Sequence, residues 1–147
     1  MQNGDYFALE QPIVDQLKTI DGIEAVYTHF SIEDMMQGAT VSPSVSVIYI
    51  DDRIGETLNN GQVNCIYQQW LIVLAVEEAG SQLENTIEIR KKASPFIIEV
   101  LNKLQGFDAD LVGVDVLQRA NAGVQHMSAA GKLWMPFLFE AKIFNVN

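Results

Sequence analysis

Residues 52–81, DRIGETLNNGQVNCIYQQWLIVLAVEEAGS, contain the strongest structural signal of the chain. Asn60-Gly61 within it is the strongest short-range signal for a two-residue hairpin turn. The run 62–78 follows without a turn residue, and 17 extended residues span roughly 55 Å. A compact chain of 147 residues has a diameter of only about 38 Å. We therefore expect either a bulge that bends the strand, with Gly55 opposite Ile66 as its place, or a hairpin that projects as an arm.

The turn also predicts the register of the two strands. If Asn60-Gly61 is the turn, residues whose numbers sum to 121 face each other. The resulting pairs are Val47 with Leu74, Tyr49 with Ile72, and Asp51 with Trp70. Polar residues then dominate towards the tip: Arg53, Glu56, Asn64, Gln68 and Gln69. The base of the hairpin should be buried, and the 53–67 segment should contribute little to the fold of a single subunit.

Helices and strands alternate along the rest of the chain. Apolar residues at helical spacing predict an N-terminal helix, with Pro12 in its first turn or at a kink. A strand over 23–30, a short helix over 31–37 capped by Ser31, and a strand over 43–51 follow. The apolar residues that define the first helix are Phe7, Leu9, Ile13, Leu17 and Ile20.

A second long helix follows the hairpin. Ser81 and Glu84 form a capping box, and Gly106 ends the helix. Strands are predicted over 111–117 and 133–146, where Pro136 indicates an edge position or a bulge. The fold class is therefore α+β: a mostly antiparallel sheet packed by two main helices, with a long projecting β-hairpin or loop. Because neither repeats nor linkers interrupt it, residues 1–147 should form a single domain.

Composition narrows the classes of function. The net charge of −10 argues against binding of a nucleic-acid backbone, which requires clustered Lys and Arg. Arg90-Lys91-Lys92 is the only basic run, and we interpret it as the solvated face of a helix. The N-terminus lacks the pattern of a signal peptide and the apolar runs are too short to cross a bilayer, so we expect a cytoplasmic protein without a membrane partner. The single Cys65 excludes an internal disulfide.

Few residues are suited to catalysis. Neither His29 nor His126 has a partner at metal-ligand spacing, and both should be replaceable without loss of function. The acidic residues Asp51, Asp52 and Glu56 fit solvated strand-end charges better than a cation site. We therefore predict no catalytic residues, no metal and no cofactor. For the two tryptophans, Trp70 and Trp134, packing in the core is favoured and an intersubunit contact is the alternative.

The order of these elements resembles a known family. An N-terminal helix, the strand PSVSVIYIDD, a long hairpin, the strand QQWLIVLAVEEA with Trp70, a capped helix ending in LNKLQGF, and the last strand GKLWMPFLFEAKI together cover nearly the whole chain. This arrangement is similar to that of the tail terminator and tail completion proteins of long-tailed bacteriophages, including Mu-like prophage and lambda-type terminators.

The resemblance implies a structural role in the virion tail. It implies a ring, usually of six subunits, that sits on the finished tail tube, stops its polymerisation and presents a surface to the head-tail connector. The expected partners are further copies of the chain, the tail tube protein and the connector proteins, with the sheath protein as a further candidate. DNA would pass through the ring without specific binding, and assembly would take place in the cytoplasm of the bacterial host.

The resemblance also assigns an assembly interface to the hairpin. Its expected residues are Arg53, Ile54, Leu58, Asn60, Val63, Ile66 and Tyr67, together with Trp134. Two alternatives stay open: another structural protein of the tail or baseplate, and a small-ligand-binding or enzymatic α+β domain whose pocket is assembled in space. A mass in solution near six times 16.4 kDa would favour assembly. A monomer with a deep apolar pocket would favour ligand binding.

Overall fold

The chain folds into a six-stranded sheet with three helices in the residues that the computed structural model describes, 4–38, 41–58, 63–78, 86–129 and 131–144. The predicted α+β class and mostly antiparallel sheet are confirmed, and the short strand β5 was not predicted. The elements are α1 (Glu10–Leu17), β1 (Ala25–His29), α2 (Ile32–Gln37), β2 (Ser44–Leu58), β3 (Val63–Glu77), α3 (Ile87–Leu104), β4 (Val114–Ala120), β5 (Met127–Ala129) and β6 (Lys132–Phe144).

The strands lie in the order β1-β2-β3-β6-β4, and β5 pairs with β6. Among the described strands, β1 and β2 are parallel and the other pairs are antiparallel. Helices α1 and α3 cover one face of the sheet, which we call the helix face, where Trp70, Ile72 and Phe139 are fully buried. On the other side, the second face, Met35 of α2 packs against Leu71 and its neighbours. The central strands are therefore buried on both faces.

The register differs from the prediction because β2 contains two irregularities. Near the tip, Leu58 pairs with Val63, as the sum rule requires. One shift between Ile54 and Thr57 and another between Tyr49 and Asp51 then move the register by two residues. The predicted bulge at Gly55 is confirmed, but the predicted partners are wrong.

In the observed register Val47 faces Ile72, Tyr49 faces Trp70, and Asp51 faces Gln69. Each bulge places one extra residue in β2, and a shift of one residue reverses the face on which every side chain lies. Two shifts restore the original face, so the apolar residues return to the core. The Asn60-Gly61 turn itself lies outside the described residues.

The ends of the helices follow local rules. Asp34 donates its backbone N–H to Ser31 Oγ at 3.0 Å, so the predicted cap of α2 is confirmed. Gly106, with a φ of +74°, follows the end of α3, as expected for a helix stop. Pro12 lies in the first turn of α1. The capping box predicted at Ser81 and Glu84 lies outside the described residues, and the described helix begins at Ile87.

Pro136 does not lie on an edge strand, which was one of its two predicted positions. β6 runs between β3 on one side and β4 with β5 on the other. On that second side, β5 pairs with residues 132–134 of β6 and β4 with residues 138–143. Pro136 therefore falls in the gap between two strand partners, a position where a missing backbone donor is tolerated.

Candidate functional site

The long hairpin of β2 and β3 has three parts that differ in their neighbours. We call residues 44–49 and 70–75 the hairpin base, which has β1 and β6 on its two sides. Residues 51–54 and 65–69 form the hairpin shoulder, where β6 still pairs with β3 but β1 has ended. Residues 55–58 and 63–64 belong to the hairpin tip, beyond the last pair of β3 with β6, Cys65 with Phe144. The tip is thus supported by its own two strands alone within the described structure.

On the second face, the shoulder is held by an ion pair to β6. Arg53 donates from Nε and Nη2 to the two carboxylate oxygens of Glu140, at 3.2 and 3.1 Å. Gln69 Nε2 donates to the same carboxylate at 2.7 Å. The bond from Arg53 lowers the pKa of Glu140 against the opposing effect of burial, with a further contribution from Gln69. The Arg53 guanidinium also lies 4.0 Å from the centre of the Tyr67 ring.

On the helix face, the shoulder contains a buried polar chain. Gln68 is fully buried, donating from Nε2 to the Tyr6 carbonyl at 3.0 Å and accepting from Trp70 Nε1 at 3.1 Å. Tyr6 in turn donates its hydroxyl to the Asp52 carboxylate. Burial, followed by the hydrogen bond to Asp52, raises the pKa of Tyr6 to about 12. The two hydrogen bonds of Tyr6, which lies before α1, therefore connect the hairpin to the helix layer.

Gly55 marks the boundary between shoulder and tip. A Cβ atom at this position would lie 2.8 Å from the carbonyl oxygen of Cys65 and 3.0 Å from Cε2 of Tyr67. Real Cβ atoms do not approach a backbone oxygen so closely, so the bulge requires a residue without a side chain. The bulge thus depends on this glycine.

The predicted interface residues fall into different environments. Ile66 is buried, and the Arg53 guanidinium contacts Glu140 and the Tyr67 ring within the chain. Ile54, the partner of Ile66 in the register, is 74% exposed. The expectation that the whole 53–67 segment adds little to the fold is therefore wrong for its shoulder. Trp134 is half-buried and packs with the residues of the second face.

Leu58 and Val63 form the last described backbone pair of the tip, and Asn60 lies outside the described residues. The structure does not bring the predicted interface residues together into one surface. It separates the tip, where Glu56 and Thr57 are exposed, from a shoulder that is bonded within its own chain. An assembly role for these residues stays a prediction.

The residues that hold the shoulder but were not predicted as site residues include Gln68 within it, and Tyr6 and Glu140 outside it. A signal for Gln68 is present, because it lies two residues before Trp70 and so shares its face of the strand. Tyr6 and Glu140 lie 46 and 87 residues from their partners Asp52 and Arg53. No local pattern indicates contacts over such separations.

A cleft of about 340 Å³ at the end of β1 is where a ligand-binding or enzymatic site would lie. His29 Nδ1 lies 3.4 Å from the Asp34 carboxylate, and the buried His29 Nε2 has no hydrogen-bond partner among the described residues. Among the described residues, neither a serine nor a cysteine lines the cleft: Phe7, Glu10, Thr28, His29, Phe30, Asp34 and Tyr49. A hydrolytic triad would need a nucleophile beside this His-Asp pair, and the described lining offers the hydroxyl of Thr28.

Within the described ranges, no three His, Cys, Asp or Glu side chains lie close enough together to hold a metal ion. None of the helices in this part of the chain combines the length and apolar character needed to span a membrane.

One family model covers nearly the whole chain. The model of the phage tail terminator protein matches residues 2–145. The chain belongs to the phage tail terminator family. This terminator is therefore a structural component of a phage tail, and its family is one of structural proteins. No match was found among curated proteins.

A solved structure has the same fold as the terminator. It is a chain in the virion of a native gene transfer agent particle, 19% identical in sequence, with a TM-score of 0.59. The match covers 94% of the terminator and 96% of that chain. At this level of identity, the likeness concerns the arrangement of helices and strands.

Proposed function

We propose that six copies of the terminator form a ring that caps the completed tail tube, ends its polymerisation and presents a surface to the head-tail connector proteins. Membership of the family supports this role. The observation in the structure that carries it is the hairpin tip, which within the described residues extends past both β1 and β6. A two-stranded hairpin alone is marginal in water, so the tip calls for a partner outside its own subunit.

Polar groups of the shoulder are already bonded within the chain, so the tip is the part of the hairpin that is available for contact. Because Arg53, Gln69 and Glu140 are bonded to one another, their polar groups already have partners in the monomer. Glu56 and Thr57 of the tip are exposed. We infer that a neighbouring copy or the tail tube protein covers the tip, with the sheath protein as a further candidate. The shoulder sets the direction in which the tip points.

The charge of the chain supports the passage of DNA through such a ring. A net charge of −10 per copy repels a phosphate backbone, so DNA would slide through the channel without specific binding. Assembly of the ring on the tube would take place in the cytoplasm of the bacterial host, before heads join the tails.

The test is to shorten the tip without disturbing the shoulder. Joining Thr57 to Asn64 through a two-residue Asn-Gly turn retains one observed pair of the register together with Gly55 and Cys65. The shortened chain should unfold at nearly the temperature of the natural chain. Native mass spectrometry should detect about 98 kDa, six times 16.4 kDa, for the natural chain and fail to do so for the shortened one. Electron microscopy of tail tubes grown with the shortened chain should show uncontrolled lengths.

A matched control is the double variant His29→Gln and His126→Gln, which alters neither the shoulder nor the tip and should cap tubes normally. A shortened chain that also caps normally would contradict the proposal. Labelled protein found at the distal end of the tail, rather than at the end that joins the head, would support the alternative of a baseplate component.

A further inference from the structure

The cleft of about 340 Å³ beside β1 lies where α1, α2 and the end of β1 meet. Phe7 and Glu10 line it from the residues around the start of α1, Asp34 from α2 and Tyr49 from β2, and Phe30 stands just after β1. We call it the aromatic cleft. The proposed ring assigns no contact to this cleft, so its chemistry needs an account of its own.

The aromatic walls of the cleft are held in place by their neighbours. The ring of Phe7 meets that of Tyr49 edge to face with centroids 5.0 Å apart, and Tyr49 meets the buried Trp70 in the same manner at 5.5 Å. Phe7 is nevertheless 46% exposed, and Phe30 is 96% exposed. Ordered rings that are open to solvent offer faces on which a cation, and a guanidinium above all, can stack.

Two carboxylates in the lining have oxygens that are free to accept. The Phe30 N–H, at 3.1 Å, and His29 Nδ1, at 3.4 Å, both lie beside Oδ2 of Asp34, so Oδ1 has no partner among the described residues. Glu10 is half-buried, and burial followed by the charge of Asp5 raises its pKa. A carboxylate whose pKa is raised by burial lacks a counterion that would offset its lost hydration.

The described part of the chain supplies no such counterion for Glu10. His29 is the basic side chain of the described lining, and it lies beside Oδ2 of Asp34 instead. Lys18 follows the last residue of α1, eight positions and about 12 Å along the helix from Glu10. The backbone of Lys103 contacts the same distant end of α1. The acids of the cleft are therefore not neutralised from within the described structure.

Carboxylates behind the lining add to the negative field. Burial, the hydrogen bond to Asp52 and the charge of Asp52 raise the pKa of Tyr49, with a smaller effect from Asp51. The aromatic wall of the cleft thus lies between acids on both of its sides. Such a field attracts a cation and repels an anion.

We propose that the aromatic cleft binds an arginine side chain of another protein of the tail. A guanidinium can stack on an aromatic face while its planar fork of N–H groups donates to carboxylates, which the compact ammonium of lysine cannot do. Phe30 stands at the rim and offers apolar area to the chain around that arginine, as aromatic residues of protein interfaces do. This inference goes beyond the proposed ring and does not depend on the number of copies in it.

The partner is assigned to a different protein because this chain is poorly equipped to fill its own cleft. It contains three arginines, and Arg53 is bonded to Glu140 while Arg119 lies 5.4 Å from the centre of the Phe137 ring. Each copy also carries a net charge of −10, so a partner of opposite charge is attracted more strongly than a second copy.

The first test is a titration of the natural chain with a single side chain. The probe is Nα-acetyl-arginine amide, and its neutral isostere Nα-acetyl-citrulline amide and Nα-acetyl-lysine amide are the comparisons. In two-dimensional amide NMR, the arginine probe should shift Phe7, Glu10 and residues 28–34 saturably, and citrulline should bind about tenfold more weakly. Equal binding of citrulline would overturn a cation site, and equal binding of lysine would overturn the choice of arginine.

The same titration with charge-neutralised variants locates the site. Glu10→Gln with Asp34→Asn keeps an acceptor for the Phe30 N–H and should weaken the arginine probe about tenfold. The matched control, Glu88→Gln with Asp108→Asn, removes the same charge from exposed residues outside the described lining and should bind as the natural chain does. An equal loss in both pairs would mean that net charge alone holds the probe. Thermal unfolding of each variant checks that the fold is kept.

The second test identifies the occupant in assembled tails. Phe30 is replaced by the photo-cross-linking residue p-benzoylphenylalanine, and purified tails that contain the terminator are irradiated and analysed by mass spectrometry. The expected adduct joins Phe30 to a peptide of a different tail protein with an arginine beside the cross-link. An adduct between two copies, a peptide without arginine, or the absence of an adduct would overturn the assignment. Because the titration needs neither a ring nor a tail, failure of the proposed ring would leave its result unchanged.

Discussion

The base and the tip of the hairpin belong to the same two strands, yet they differ in nearly every physical respect. At the base, Val47 and Ile72 are buried on the helix face while Ile48 and Leu71 are buried on the second face. At the tip, Thr57 and its neighbour Glu56 are exposed. The difference follows from the adjacent strands, because β1 and β6, as far as the structure describes them, enclose the base and end before the tip. Two strands can thus contribute a core at one end and exposed residues at the other.

The shoulder between them shows that polarity alone does not indicate exposure. Gln68 is polar and yet fully buried, because both ends of its amide have partners. A buried polar group with its hydrogen bonds satisfied costs little, whereas an unsatisfied one costs about 1–3 kcal/mol. Substitutions in the base, in the shoulder and at the Gly55 boundary should therefore differ in their effect on the stability of the fold.

The largest effect should come from the base. Trp70→Ala removes a fully buried side chain and leaves Gln68 Oε1 without its donor, and it should destabilise the fold by about 3–5 kcal/mol. Urea unfolding followed by circular dichroism measures the change. Trp70→Phe, which keeps most of the ring volume, should cost less. A loss well below about 1 kcal/mol for the alanine variant would show that this ring is not part of the core.

The next comparison uses one cross-strand pair of the shoulder. Ile66 and Ile54 face each other in the register, but Ile66 is buried and Ile54 is exposed. Ile66→Ala should cost about 2–4 kcal/mol because it leaves a cavity. Ile54→Ala should change the stability by less than about 0.5 kcal/mol. Equal losses from the two variants in urea unfolding would contradict the assignment of one buried and one exposed partner.

A substitution at Gly55, between the shoulder and the tip, tests whether the bulge can accommodate a side chain. Gly55→Ala places a methyl group 2.8 Å from the Cys65 carbonyl oxygen and should destabilise the fold by about 1–3 kcal/mol. Gly38→Ala is the control, since its nearest neighbour would lie at 3.7 Å and its effect should stay within about 0.5 kcal/mol. Thermal unfolding of both variants gives the comparison. An unchanged melting temperature for Gly55→Ala would mean that the bulge accommodates a side chain.

The smallest effect concerns pH. The pKa of Glu140 is lowered in the folded chain, so its ion pair stabilises the fold above the unfolded pKa of about 4.3 and loses this effect as the pH falls through the folded value. The stability lost in Glu140→Gln should be largest near neutral pH and vanish in acid. It should stay below about 1 kcal/mol, because the half-exposed Arg53 is screened by solvent.

Urea unfolding of the natural chain and of Glu140→Gln across this pH range measures the difference. Glu88→Gln is the control, since Glu88 lies 3.9 Å from Lys91 on the surface of α3 and both side chains are largely exposed, so its replacement should change the stability little. A difference for Glu140→Gln that grows on acidification would contradict the sign of the shift.

Local signals predicted most of the elements correctly. Ser31 capped α2, Gly106 followed α3, and the bulge occurred at Gly55, because caps, stops and bulges depend on residues within a few positions of each other. The register was wrong because the sum rule allows for no bulge, whereas β2 contains two, and the second, between Tyr49 and Asp51, has no glycine or proline to indicate it. Three of the residues predicted for the interface, Arg53, Ile66 and Tyr67, are buried or make contacts within their own chain.

By itself, the sequence determined the α+β class, the long hairpin, the place of its bulge and the buried Trp70, since alternation, turn residues and capping act over short distances along the chain. The tertiary structure alone decided where the hairpin leaves the body. That point depends on where β1 and β6 end beside β2 and β3, and on Tyr6 and Glu140 reaching the shoulder from 46 and 87 residues away. Such contacts depend on packing in three dimensions, which gives no periodic signal in the chain.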